Sequence, residues 1–168
     1  MSEDLNHDVP MVKTFIKRIL EYVKQEFPLI QYVEFFSDGC GGQYKNSEMF
    51  HFLYQCEQLF NFLITWNFFT SAHGKSACDG LGAIIKRQAA LESLRRIRNN
   101  YILTLVELLK FCAEHIPNIF CVQVHIEEIE EIRKNYNKIT KTVPGTRSFH
   151  QIKPYNKNII KCKFSSTD

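Results

Sequence analysis

No apolar run in this sequence approaches the roughly 20 residues needed to span a bilayer. The opening MSEDLNHDVPMV lacks both the basic and the apolar stretch of a secretory leader. These two absences exclude a helical membrane anchor from the expectation and point to an intracellular protein, nuclear or cytoplasmic, with no membrane partner. There is no CxxC pair among Cys40, Cys56, Cys78, Cys112, Cys121 and Cys162, and several of them sit inside apolar runs, so buried reduced thiols are expected rather than a disulfide scaffold. Internal repeats and low-complexity linkers are missing too, which excludes a solenoid. Net charge is small, +3, with a pI near 8.5. Such a balance permits nucleic-acid contact without demanding it.

What is present is apolar and aromatic side chain: 45% and 13% of 168 residues, enough to bury one substantial core and to predict one domain. Pro10 suits a first helical turn, and Val12, Phe15, Ile16, Ile19, Leu20 and Val23 recur at helical spacing up to Phe27-Pro28. Ile30–Phe36 then reads as a buried strand that stops at Asp38-Gly39. From Ser47 the apolar positions predict a second helix, and Ile64–Thr70 a second strand. Strand, helix, strand within about 40 residues predicts a parallel crossover, which brings the ends of both strands to one sheet edge. Further along, a helix is expected after Gly82, another over Leu103–His115, a short strand over Asn118–His125, and a charged helix from Ile126 to Lys138. The tail from Val143 reads as an extended arm or small hairpin following a core over 1–142. The fold class is α/β, a sheet of about three to four strands flanked by helices.

Two acids stand in Gly-rich settings: Asp38 in SDGCGGQYKN, Ser37–Asn46, and Asp79 in TSAHGKSACDGLGAIIKR, Thr70–Arg87. An aspartate just past a strand lies where α/β sheets place their chemistry. Two carboxylates with Gly39, Gly41, Gly74 and Gly80 beside them, allowing close backbone approach, are minimal equipment for Mg²⁺ or Mn²⁺. A two-metal phosphodiester site normally needs at least three carboxylates. Asp-Gly is also a common turn and Asp79 an ordinary helix cap, but His73 and Lys75 beside an acid are more than a turn requires.

The pairing of FFSDGCGGQYKN with WNFFTSAHGKSACDGLGAIIKR resembles animal transposon-derived proteins related to DDE/D-type transposases, whose core is RNase H-like. The likeness runs on through GTRSFHQIKP, Gly145–Pro154, and takes in the helix containing His7-Asp8. It implies a partial RNase H-like fold with a mixed sheet, in which Asp38 matches the second metal-binding acid and Asp79 is the candidate third. His73 and Lys75 would orient a carboxylate or hold phosphate, and Gln43 and Asn46 would add polar contacts. The family's first acid sits on an opening strand in a DFAENY-like segment, and nothing between Met1 and Ile30 is similar to it. The resemblance therefore implies a truncated core with impaired catalysis, whose exposed sheet edge invites strands from a second chain.

DNA is the expected partner, through Lys75, Lys86, Arg87, Arg95, Arg96 and Arg98, although a solvated helix face accounts for the same charges. Tyr44 and Trp66 could stack on bases, with Trp66 in the core as the other reading. Three further readings stand beside this one: a thiol hydrolase using Cys40 or Cys78 with His73 as base, a zinc site at Cys40, His73 and Cys78 that lacks a fourth ligand, and a non-enzymatic interaction module presenting Ile126–Lys138.

Overall fold

A computed structural model describes residues 1–69, 77–95, 101–135, 142–157 and 159–164, with only the backbone at 77 and 78. The chain divides into two compact units, Asn6–Gly74 with Glu127–Asp168, and Met1–Leu5 with Lys75–Ile126.

In the first of these, helix α1 spans Val9–Glu26. Asp8 starts it by accepting the Met11 N–H at 3.1 Å, and Pro10 lies in the first turn. Its buried stripe, Val12, Ile16 and Leu20, has the spacing the sequence shows, and Pro28 follows just past its end. Strand β1, Tyr32–Ser37, leads through a loop to helix α2, Ser47–Phe60, and then to strand β2, Leu63–Phe68. Asn61, at φ 54°, turns the chain out of α2 in the left-handed conformation that asparagine tolerates better than most residues. β1 and β2 pair in parallel, Tyr32 opposite Leu63 through Ser37 opposite Phe68. The predicted crossover is therefore formed, and both strands end at the same sheet edge.

The tail is a hairpin, strands β3, Gln151–Asn156, and β4, Ile159–Lys163. β3 joins β2 antiparallel, giving one mixed sheet in the order β1-β2-β3-β4. Gly145, at φ 74°, makes the turn that leads into this hairpin, where an L side chain would be strained. Val33, Phe35, Ile64, Trp66, Phe68 and Ile152 face the core with α1 and α2, and Phe149 closes its end. The α/β class and a four-stranded mixed sheet thus stand as expected. Helix α5, Ile126–Lys134, follows the other unit, and Arg133 bonds to Asp8 and to Glu130.

Cys56 lies at the centre of this core, where burial pushes its thiol up to about 12 against the pull of Lys13 and Lys17. In the unfolded chain the same thiol ionises near pH ~8.5. Unfolding then releases a proton that the folded state keeps, so stability is complete below about pH 8.5 and falls as pH rises towards the folded value. The loss from this one group is expected to approach 1.4 kcal/mol per pH unit, about the value of one proton. Urea midpoints measured between about pH 8 and 10.5 check it: Cys56→Ala should flatten the alkaline slope by up to one proton.

In the second unit, helix α3 spans Ala77–Arg95 and helix α4 spans Leu105–His115. Thr104 and Glu107 close a capping box at the start of α4. Two expectations need correction. α3 begins before Gly82 and runs through both Gly80 and Gly82, so Asp79 lies inside its first turn rather than ahead of it. The strand predicted over Asn118–His125 is not formed. That backbone bonds instead to Met1, whose amino group donates to the Val122 carbonyl at 2.7 Å and whose carbonyl accepts the Val124 N–H at 2.8 Å. One residue's pair of bonds does not make a ladder, however β-prone the segment. Among the described residues no helix is long and apolar enough to cross a membrane.

Candidate functional site

The loop between β1 and α2 carries the SDGCGGQYKN motif, and nearly every polar residue in it has a structural partner. Ser37 Oγ accepts the Trp66 indole N–H at 2.9 Å and donates to the Asp38 carbonyl at 2.9 Å. Asp38 Oδ1 accepts the Cys40 N–H at 2.9 Å, an Asx turn that reverses the chain at the strand end. The Cys40 carbonyl then faces the N–H groups of Gln43, Tyr44 and Lys45, the shortest bond being 2.8 Å to Tyr44. Asn46 caps α2 through the Met49 N–H and donates back to the Gly41 carbonyl, both at 2.9 Å.

Three longer reaches fix this loop to the rest of its unit. Gln43 donates to the His7 carbonyl at 3.2 Å. Lys45 donates to the Arg147 carbonyl at 3.2 Å, with its ammonium 4.7 Å from the Phe68 ring centroid. A Cβ on Gly39 would lie 3.3 Å from that ammonium, so Gly39 makes room for Lys45. The Tyr44 ring packs 5.7 Å from Trp66, and burial, followed by the charges of Asp38 and Cys40, raises its phenol above the ordinary value. Burial holds Lys45 below its ordinary value.

Asp38 is thus an exposed carboxylate on an ordered turn at the carboxyl end of an edge strand. The structure brings Asp38, Gln43 and Asn46 into one loop, with Gln43 and Asn46 engaged in holding its shape. Asp79, Lys86, Arg87 and Arg95 are exposed on α3 in the other unit. His73, Lys75, Arg96, Arg98 and Gly74 fall outside the described residues, as does the Cys78 side chain. Among the described residues no three His, Cys, Asp or Glu side chains are gathered so as to hold a metal ion. One exposed carboxylate does not hold Mg²⁺ or Mn²⁺, which favours several oxygen ligands in fixed geometry. Asp38 by itself does not meet that requirement, and His73 and Lys75 of the second motif lie outside the described residues.

The model of a family described as a domain of unknown function, DUF8701, matches residues 1–166. The chain belongs to the DUF8701 family. No curated protein and no solved structure matches it. The DUF8701 match runs through both units and includes β3 and β4.

In this DUF8701 domain Trp66 is a core residue, buried between Phe35, Tyr44 and Phe68, and is not available to a base. Cys40 is exposed, Cys56 and Cys112 are buried, and Cys121 and Cys162 lie between. Lys86, Arg87 and Arg95 lie on a helix with no buried position among its described side chains, its Ile84, Leu91 and Leu94 exposed alongside them. Sequence reasoning passed over Lys45 and Ser37, the two residues that tie the motif to the core. A lysine immediately before an N-cap is the one local hint, and its partner Arg147 is 102 positions away.

Proposed function

We propose that the chain derives from the catalytic core of a DDE/D-type transposase, with an RNase H-like ancestry for its sheet, and that these 168 residues do not cut nucleic acid by themselves. DNA as partner and the nucleus as place of action belong to this reading. The observation that carries it is the crossover β1-α2-β2, with Asp38 at the carboxyl end of β1 and an outer β1 edge that, among the described residues, pairs with no strand. A strand bearing a further acid would have an open ladder there, and an acid on its end would stand beside Asp38. The C-terminal hairpin lies on the opposite side of β2, so it does not fill that edge. Asp79 in the first turn of the helix after β2 agrees with the order of acids in such cores.

The test is nicking of supercoiled plasmid in Mn²⁺ by the chain and by Asp38→Asn and Asp79→Asn. We expect no cleavage above background from well-folded protein. Cleavage that disappears in both variants would overturn the catalytic half of the proposal and require a third ligand within this chain.

A further inference from the structure

The sheet has two faces, and α2 packs against only one of them. Cross-strand register assigns the other. Phe36 pairs with Asn67, Asn67 with Gln151, and Gln151 with Lys163, forming one row across all four strands. Glu34 pairs with Thr65, and Lys153 pairs with Lys161, forming a second. Tyr32 opens a third beside Leu63, and Tyr155, in the irregularity between Pro154 and Asn156, shares this face through its contact with Lys161.

This face is aromatic and cationic together. Tyr32, Phe36 and Tyr155 are 47%, 57% and 60% exposed, the reverse of what their size favours in a core. Lys161 and Lys163 are exposed and Lys153 is half-buried. The Lys161 ammonium lies 4.2 Å from the Tyr155 ring centroid and that of Lys153 lies 5.9 Å from Tyr32. Among the described strand residues of this face Glu34 is the one acid, and it accepts the Tyr32 hydroxyl at 2.8 Å. The Thr65 hydroxyl lies 2.9 Å from the Tyr32 phenol oxygen and donates to it, which holds the ring along the sheet. Phe36 stacks on Phe69 with centroids 6.1 Å apart, which steadies its ring.

Thr65, at the middle of this face, is buried, so the exposed rings and ammonium groups stand around it, and exposed rings with ammonium groups beside them suit a ligand that alternates π faces with negative charge. We propose that this face binds single-stranded nucleic acid, bases stacking on Phe36 and Tyr155 while Lys153, Lys161 and Lys163 meet the phosphates. A duplex keeps its bases stacked inside and cannot use the rings. None of the residues named for this face belongs to the Asp38 loop or to α3, so the proposal stands whether or not the catalytic reading holds.

Fluorescence anisotropy on the full chain tests it, with a labelled thymidine oligomer of about twelve nucleotides, a duplex of equal length, and a heparin oligosaccharide as a polyanion without bases. The single strand is expected to bind more tightly than the duplex. Tyr155→Ala should weaken the single strand about tenfold and leave heparin unchanged. Lys161→Gln with Lys163→Gln should weaken both and lower the salt slope by about 1.4, the value for two phosphate contacts on a single strand. All three positions are exposed at the sheet surface, and circular dichroism confirms that the variants fold; Phe36→Leu, which keeps the apolar surface and removes the ring, gives a second reading of stacking. Equal affinity for heparin and oligomer, or no loss in Tyr155→Ala and Phe36→Leu, overturns the proposal. Loss from Lys86→Gln with Arg87→Gln and none from the sheet variants also overturns it, by placing the contact on α3.

Discussion

Trp66→Ala is expected to cost about 3–5 kcal/mol, the range for truncating a large buried aromatic. A domain of this size is held by only about 5–15 kcal/mol in total. Trp66 is buried against Phe35, Tyr44 and Phe68, with ring centroids 5.2, 5.7 and 6.2 Å away. Its indole N–H bonds to Ser37 Oγ, and that hydroxyl in turn donates to the Asp38 carbonyl. Removing the ring leaves a cavity at the meeting of both parallel strands and unseats the start of the Asp38 loop. Trp66→Phe keeps much of the volume and loses the bond to Ser37, so its expected cost is smaller, about 1–2 kcal/mol. Urea unfolding followed by circular dichroism measures both, since Trp66 is the single tryptophan and fluorescence disappears with it. A Trp66→Ala midpoint within about 1 kcal/mol of the parent would show that the cluster is not the stabilising centre described above.

Why some of this fold is legible in the sequence, and some is not, follows from where each partner lies. α1 and α2 show themselves through periodicity because each buries one face against a single core, whereas β1 and β2 show themselves as short apolar, β-branched and aromatic runs, β2 with Ile64, Thr65 and Trp66 buried in succession. β3 and β4 read only as an arm or small hairpin, since Pro154 interrupts one and polar residues, Gln151 and Lys153 in β3 and Lys161 and Lys163 in β4, alternate with apolar ones. That alternation is the mark of strands with one core face and one wet face, and it is also what makes the lysine rows of the open surface. Asn118–His125 misleads for the opposite reason: its residues favour a strand, but among the described residues its backbone bonds to Met1 and, at Ile119, to the Ile116 carbonyl, and neither is a strand partner. The glycines of α3 mislead by propensity, which is a weak prior over a helix of 19 residues.

The loop chemistry divides in the same way. Asp-Gly past a strand announced a turn, and the turn is there. The contacts that hold it, Lys45 to Arg147 and Gln43 to His7, join residues 102 and 36 positions apart, and no spacing rule carries that information.

Glu48→Leu is expected to destabilise the chain by about 3 kcal/mol, because it removes one partner of a desolvated ion pair and leaves the other. Glu48 Oε2 lies 3.1 Å from Lys13 Nζ, and the two side chains are only 7% and 13% exposed. The pair joins α1 to the first turn of α2, where the helix dipole also favours a carboxylate. Lys13 additionally lies 5.6 Å from the Phe52 ring centroid, a contact that softens the loss without replacing a carboxylate. Lys17, Arg18, Glu21 and Glu128 line the same groove, yet they are more exposed, and surface pairs of that kind contribute about 0–1 kcal/mol each. The double variant Lys13→Met with Glu48→Leu should therefore recover most of the loss, since an apolar pair of similar volume no longer buries a charge. A urea double-mutant cycle measures the coupling directly. If the double variant is as unstable as the sum of the singles, the two groups act independently, and α1 is held to α2 by its apolar stripe alone.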